Sequence, residues 1–162
     1  MYKFQAKFYL KLIFLISLIS LISAYFIEFV LGHQPCNLCL IERIPYGLSI
    51  ILIIINFTIK KNEKFIILLL ILIFAFSLLI SLYHFGIEQG FFEESSVCGL
   101  QNTSNIISKD ELLKELQAKI VSCKDVTFKI FGLSLTTINI LLSLVIFIFL
   151  IKIFKRYEKF KT

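Results

Sequence analysis

The chain has 162 residues, 58% of them hydrophobic and 17% charged, and its 17 basic and 11 acidic side chains leave a net charge of +6. A mean hydropathy of +0.89 is more apolar surface than a soluble domain of this length can bury. The composition therefore predicts an integral membrane protein, and the basic excess, gathered beside the apolar stretches, gives no reason to expect nucleic-acid binding.

Four uninterrupted apolar stretches account for the hydropathy, at positions 12–31, 44–59, 65–85 and 130–151. Each approaches the ~20 residues, rising ~1.5 Å apiece, that carry a helix across a ~30 Å hydrocarbon core. In lipid the backbone must satisfy its own hydrogen bonds, so helices are the expected spanning form. The expected fold is an all-α membrane protein, a bundle of four transmembrane helices forming one polytopic domain over residues 1–162.

The first stretch follows Lys3, Lys7 and Lys11 and ends near the small residues Ser23 and Ala24, as a secretory signal does. The apolar run continues through Tyr25, Phe26 and Ile27, which favours a full span over a cleaved leader. Further basic residues lie at Lys60, Lys61 and Lys64, and at Lys152, Lys155, Arg156, Lys159 and Lys161, opposed only by Glu63 and Glu158. By the positive-inside rule these segments and both termini are cytoplasmic. Loops 32–43 and 86–129 then face outward, where disulfides form and persist. The tight inner connection at 60–64 makes the second and third spans antiparallel neighbours.

Loop 32–43 holds Pro35-Cys36-Asn37-Leu38-Cys39. Two intervening residues let the cysteines close a small disulfide ring, the arrangement of dithiol oxidoreductases. The second span is expected to begin at Asn37 or Leu38, with Pro45 kinking it, since a helix starting at Pro45 would fall short of the core. Cys39 then lies in a first helical turn, whose amides and dipole favour a thiolate. Arg43, one turn on, is placed to lower the Cys39 pKa and to bind an anionic ligand. A charge at the edge of a span signals function, although snorkelling to the head groups, or neutralisation by Glu42, would also account for it. Tyr46 is placed to line an aromatic pocket. His84, ending the third span beside Tyr83 and Phe85, reads by itself as an interface anchor.

Loop 86–129 carries Cys98 and Cys123. Ser108-Lys109-Asp110-Glu111 has the form of a capping box, and Leu112, Leu113, Leu116 and Ile120 follow at helical spacing. A short amphipathic helix lying in the membrane interface is expected here, ending just before Cys123. Zinc competes for any close cysteine pair, with Cys36, Cys39, His33 and Cys98 as available ligands. An oxidising location and a second pair split across a whole loop argue against it, so no metal is expected. Structural disulfides are the stronger competitor. A Cys98–Cys123 staple would contribute ~3–4 kcal/mol in the loop-entropy model, whereas the small ring at Cys36–Cys39 would stabilise little.

In span order, cysteine order and motif, the chain resembles the DsbB family, the quinone-dependent thiol oxidases that regenerate the periplasmic oxidant DsbA. Matching features are Pro35-Cys36-Asn37-Leu38-Cys39 with Arg43, His84-Phe85-Gly86-Ile87-Glu88, Val97-Cys98-Gly99, and Phe131-Gly132-Leu133-Ser134 opening the last span. The resemblance implies disulfides Cys36–Cys39 and Cys98–Cys123 in a bacterial inner-membrane protein with periplasmic cysteine loops. A DsbA-like partner would attack the second disulfide at Cys98. Electrons would pass by exchange to Cys36–Cys39 and from Cys39 to ubiquinone or menaquinone, with Arg43 and His84 as quinone contacts. Vitamin K epoxide reductase-type proteins share the ingredients, but their close pair follows the loop cysteines; here it precedes them. A non-enzymatic four-span protein with stapled loops is the other alternative.

Overall fold

The computed structural model describes residues 2–58, 63–94, 98, 122–124, 128–130 and 132–159. Helices α1 (Tyr2–Phe29), α2 (Asn37–Thr58) and α3 (Glu63–Glu88) are followed by a hairpin of β1 (Lys129–Ile130) and β2 (Leu133–Ser134), then by helix α4 (Leu135–Lys159). All four helices are long and apolar enough to cross a membrane, and the protein is a multi-pass membrane protein. The amphipathic helix expected from Ser108 lies outside the described residues.

Side-chain pairs set the helix directions. Glu28 meets Arg43 and Ser17 meets Ser49 between α1 and α2; His84 meets Glu42 and Phe74 meets Tyr46 between α2 and α3. Thr136 meets His84 and Ser143 meets Ser77 between α3 and α4. In each pair of helices one number rises as the other falls, so neighbouring helices run antiparallel. Packing of α1 on α4 closes the bundle. Among the described residues, Lys7, Lys11, Lys64, Lys152 and Lys155 therefore fall at one end of the bundle and the four cysteines at the other.

The core toward the lysine end is apolar, built on Ile13, Ile53, Leu70, Phe74, Ile146 and Leu150. Ser17, Ser49, Ser77, Ser81 and Ser143 are fully buried between helices. Lipid tails are as apolar as the helices, so small residues that permit close approach and hydrogen-bond across the interface supply what apolar attraction does not. Large apolar side chains such as Leu15, Ile22, Ile51, Leu72, Phe76 and Leu141 remain exposed on the outer faces, as lipid contact requires.

One boundary agrees with expectation and one differs. The second helix starts at Asn37, as expected, and continues through Pro45. The last helix starts at Leu135 rather than at 130. The segment expected to open it is instead a hairpin pairing Lys129 with Ser134 and Ile130 with Leu133. Gly132 there adopts φ +82°, a conformation that ends helical continuity. Ser134 then caps α4, its Oγ accepting from the Thr137 N–H at 3.2 Å.

The end of α3 is as specific. Gly90 has φ +78°, its N–H donates to the Ile87 carbonyl (3.0 Å), and the Phe91 N–H donates to that of Gly86 (2.8 Å). This is the paired 5→2 and 6→1 bonding of a Schellman motif, for which glycine suits the left-handed position. We expect Gly90→Ala to lower stability by ~1–2 kcal/mol, measured by unfolding in detergent; a variant as stable as the parent would mean that this turn relaxes freely.

Candidate functional site

Cys36 occupies the N-cap of α2. Its carbonyl accepts from the Leu40 N–H (3.2 Å) and its Sγ accepts from the Cys39 N–H (3.3 Å). The sulfur thus takes the place of the serine or aspartate oxygen that commonly satisfies such an amide. The two Sγ atoms, both thiols, lie 2.8 Å apart, and His84 Nε2 lies 3.6 Å from Cys36 Sγ. Hydrogen bonding with the Cys39 side chain, and then with His84, outweighs burial and lowers the Cys36 pKa to about 4. The amide-stabilised sulfur is thus that of Cys36, where the position of the helix start had pointed to Cys39.

Arg43 is also placed differently. It is salt-bridged to Glu28 of α1 and its guanidinium lies 5.1 Å from the centroid of the Tyr25 ring. Glu42, the neighbour that was open as its counter-ion, faces the other way. There the His84 Nδ1–H donates to Glu42 Oε1 at 2.9 Å, and Asn139 Nδ2–H donates to Glu42 Oε2 at 2.9 Å. His84 is 1% exposed and Glu42 7%; this histidine is no interface anchor. Thr136 Oγ1 lies 3.4 Å from His84 Nδ1 and donates to Glu88 at 2.6 Å, where Ser134 also donates at 2.8 Å. One polar network thereby joins Cys36 to α2, α3 and the start of α4.

Cys98 and Cys123 are joined in a disulfide. Both are buried in one cluster with Cys36, Leu38 and Ile87, so the two pairs, distant in sequence, pack together. The Cys123 turn is held from the end of α3, where Glu94 accepts from the Ser122 hydroxyl and, at 3.0 Å, from the Lys124 N–H. Beside the cysteines opens a cavity of about 440 Å³, within the usual range for small-molecule sites. Its lining includes Cys36, Cys39, Arg43, His84 and Cys123 together with Tyr46 and apolar side chains of α1 and α4 such as Ile16, Ile19, Ile138 and Leu142. Of the sequence-predicted site residues, only Cys98 is not on its wall.

A family profile described as "Disulfide bond formation protein DsbB" matches residues 6–153. The chain belongs to the DsbB family. As a DsbB-family member it is a disulfide bond formation membrane protein. It is also 31% identical over 137 residues to the uncharacterized protein RP370 of Rickettsia prowazekii (strain Madrid E), a match covering 83% of this chain and 80% of that protein. No solved structure matches.

Sequence reasoning missed Glu28 and Glu42 as the partners of Arg43 and His84, and Asn139 and Thr136 altogether. A signal existed for the first two. Each is an acidic residue at the margin of an apolar span, and an ionisable group there calls for a named partner.

Proposed function

We propose that the protein oxidises a DsbA-like dithiol partner in the periplasm and passes the electrons through its two cysteine pairs to a membrane quinone. The observation that carries this reading is the packing of both pairs in one cluster at the wall of a largely apolar cavity. A stapled structural protein would account for Cys98–Cys123. It gives no reason for a second pair in contact with a buried histidine.

The chain's own sulfurs carry each exchange. A partner thiolate attacks the disulfide at Cys98, the Cys98–Cys123 bond breaks, and Cys123 leaves as a thiolate. The second partner thiol releases Cys98 and leaves as a partner disulfide. Cys123 is packed to attack Cys36 when that residue is bonded to Cys39, which expels Cys39 as the thiolate; return of Cys98 then remakes the loop disulfide. Thiol–disulfide exchange needs one accessible thiolate and one good leaving thiol per step. The low Cys36 pKa makes it a good leaving thiol in the last exchange, when Cys98 attacks Cys123 and Cys36 is released.

A quinone ring fits the cavity in size and in the apolar character of its α1 and α4 walls; bound there it accepts two electrons and two protons. Cys39 is the thiol that would hand the electron pair over, and Arg43 and His84, polar groups on the same wall, would hold the acceptor. Purified protein should reduce ubiquinone or menaquinone when supplied with a reduced DsbA-like protein. Failure with both quinones would overturn the proposal.

Pairing with Glu28 at the cavity wall supports this role for Arg43 by fixing its guanidinium there. Arg43→Ala should weaken quinone affinity by ~10–100-fold, since a hydrogen bond to a charged group contributes ~1.5–3 kcal/mol. Arg43→Lys retains charge without the planar fork and should fall between. Steady-state KM values for quinone check this; three equal values would make Arg43 a snorkelling anchor. The inner-membrane orientation is tested separately. Cytoplasmic reporters fused at Lys61 and at the C-terminus should be active, and one near Asn105 should report the periplasm. A cytoplasmic signal near Asn105 would invert the topology.

A further inference from the structure

We propose that reduced Cys36 and Cys39, together with His84, form a redox-gated binding site for a thiophilic divalent cation of the zinc class, and that its occupancy blocks turnover. The donor atoms of these three buried or half-buried residues all lie within 4.8 Å of one another. Two thiolates and one imidazole, with the fourth position open, form a ligand set that zinc accepts. The open position faces the cavity, whose wall all three residues share, and the same cavity supplies the entry path.

A metal-binding histidine characteristically donates its other ring N–H to a carboxylate, which orients the ring and raises its basicity. His84 does so: Nδ1–H donates to Glu42 Oε1 at 2.9 Å while Nε2 faces the sulfurs. Glu42 is itself held by Asn139. Of the other two ligands that the sequence offered, Cys98 is held in its disulfide, and His33, on the cavity wall with its ring 5.1 Å from that of Phe128, lies outside the 4.8 Å group.

The gate follows from the chemistry of the pair, and rests on the reading that Cys36–Cys39 cycles between dithiol and disulfide. As a disulfide the pair offers no thiolate. Once the pair is reduced, both sulfurs bind as thiolates: any proton still on either sulfur leaves to solvent, two metal–sulfur bonds and one metal–nitrogen bond form, and no oxidation state changes. The sulfurs, 2.8 Å apart, must separate by about 1 Å to span a tetrahedral ion with bonds of ~2.3 Å. A metal-bound Cys39 can neither pass electrons on nor close the ring.

The test uses the full-length chain in detergent micelles with Cys98→Ser and Cys123→Ser, so that the inner pair supplies the only thiols. Zinc chloride titrated against a chromophoric chelator should load one equivalent on the reduced protein and bind the oxidised protein at least ~100-fold more weakly. Glu42→Gln should lower affinity by ~10–100-fold, His84→Ala by at least as much, and His33→Ala should leave it unchanged. Equal affinity in the two redox states, or in His84→Ala and its parent, would overturn the site. Should His84→Ala fail to fold, cobalt(II) bound to the His84-containing protein decides. A tetrahedral spectrum with sulfur-to-cobalt charge transfer supports the site, and an octahedral one overturns it. In the unmutated protein, zinc should stop quinone reduction and a chelator should restore it. Stoichiometric zinc binding without any quinone reduction would overturn the oxidase reading alone. Quinone reduction untouched by zinc would overturn the metal site alone.

Discussion

Changing Cys39 to Ser will abolish quinone reduction from every dithiol donor, whereas changing Cys98 to Ser will abolish it only from the protein partner. The asymmetry follows from where the sulfurs sit. Cys39 lies on the cavity wall and Cys98 does not, although both belong to the same packed group of cysteines. With Cys98 gone, a small dithiol that enters the cavity can still reduce Cys36–Cys39 directly. With Cys39 gone, Cys36 remains on the cavity wall but has no neighbouring sulfur with which to close a disulfide, so no electron pair can be handed on. Loss of a residue that forms the covalent link in a reaction costs ~10³-fold or more in turnover. The measurement is quinone absorbance under anaerobic conditions with a reduced partner protein and, separately, with a small dithiol. Turnover by the Cys39 variant would remove that residue from its place next to the acceptor.

Glu42→Ala will destabilise the bundle more than any change at its exposed faces. Glu42 and His84 are almost fully buried against each other, and Asn139 binds the second carboxylate oxygen. Removing one member of such a buried pair strands the other, at a cost of ~3–5 kcal/mol. Glu42→Gln preserves an acceptor oxygen and should cost less. Replacing both residues by Leu should cost less than the two single losses together, because nothing polar is then stranded. Thermal unfolding in detergent compares the parent with these variants and with each single Leu replacement. A Glu42→Ala variant within ~0.5 kcal/mol of the parent, the range of ordinary surface changes, would show that water reaches and satisfies His84.

The predictions differ in what they draw on. Reporter fusions test lysine positions that can be counted without coordinates, and the Cys39 and Cys98 variants test a division of labour implied by motif order. The Glu42 variant tests a contact 42 residues apart in sequence, for which neither spacing nor composition gave a partner.

Four spans, the close cysteine pair and the family were legible in the chain because each rests on local information. Apolar run length sets a span, and two residues between cysteines set a ring. The start of α2 at Asn37 was legible for the same reason, through Pro35 and Pro45. The hairpin before α4 was not: positions 130–151 are mostly apolar, and apolarity alone does not separate a strand from a helix. Only the left-handed Gly132 and the Ser134 cap mark the boundary.

The pairing of charges was decided by tertiary structure alone. Arg43 and Glu42 are adjacent in sequence, but successive residues on a helix point about 100° apart. One faces α1 and finds Glu28; the other faces α3 and finds His84. Which sulfur receives the helix-start amide is set locally, by Cys36 standing at the cap three residues before the Cys39 N–H. Which histidine stands beside the sulfurs depends instead on how helices distant in sequence are turned toward one another, and that is settled only when the bundle closes.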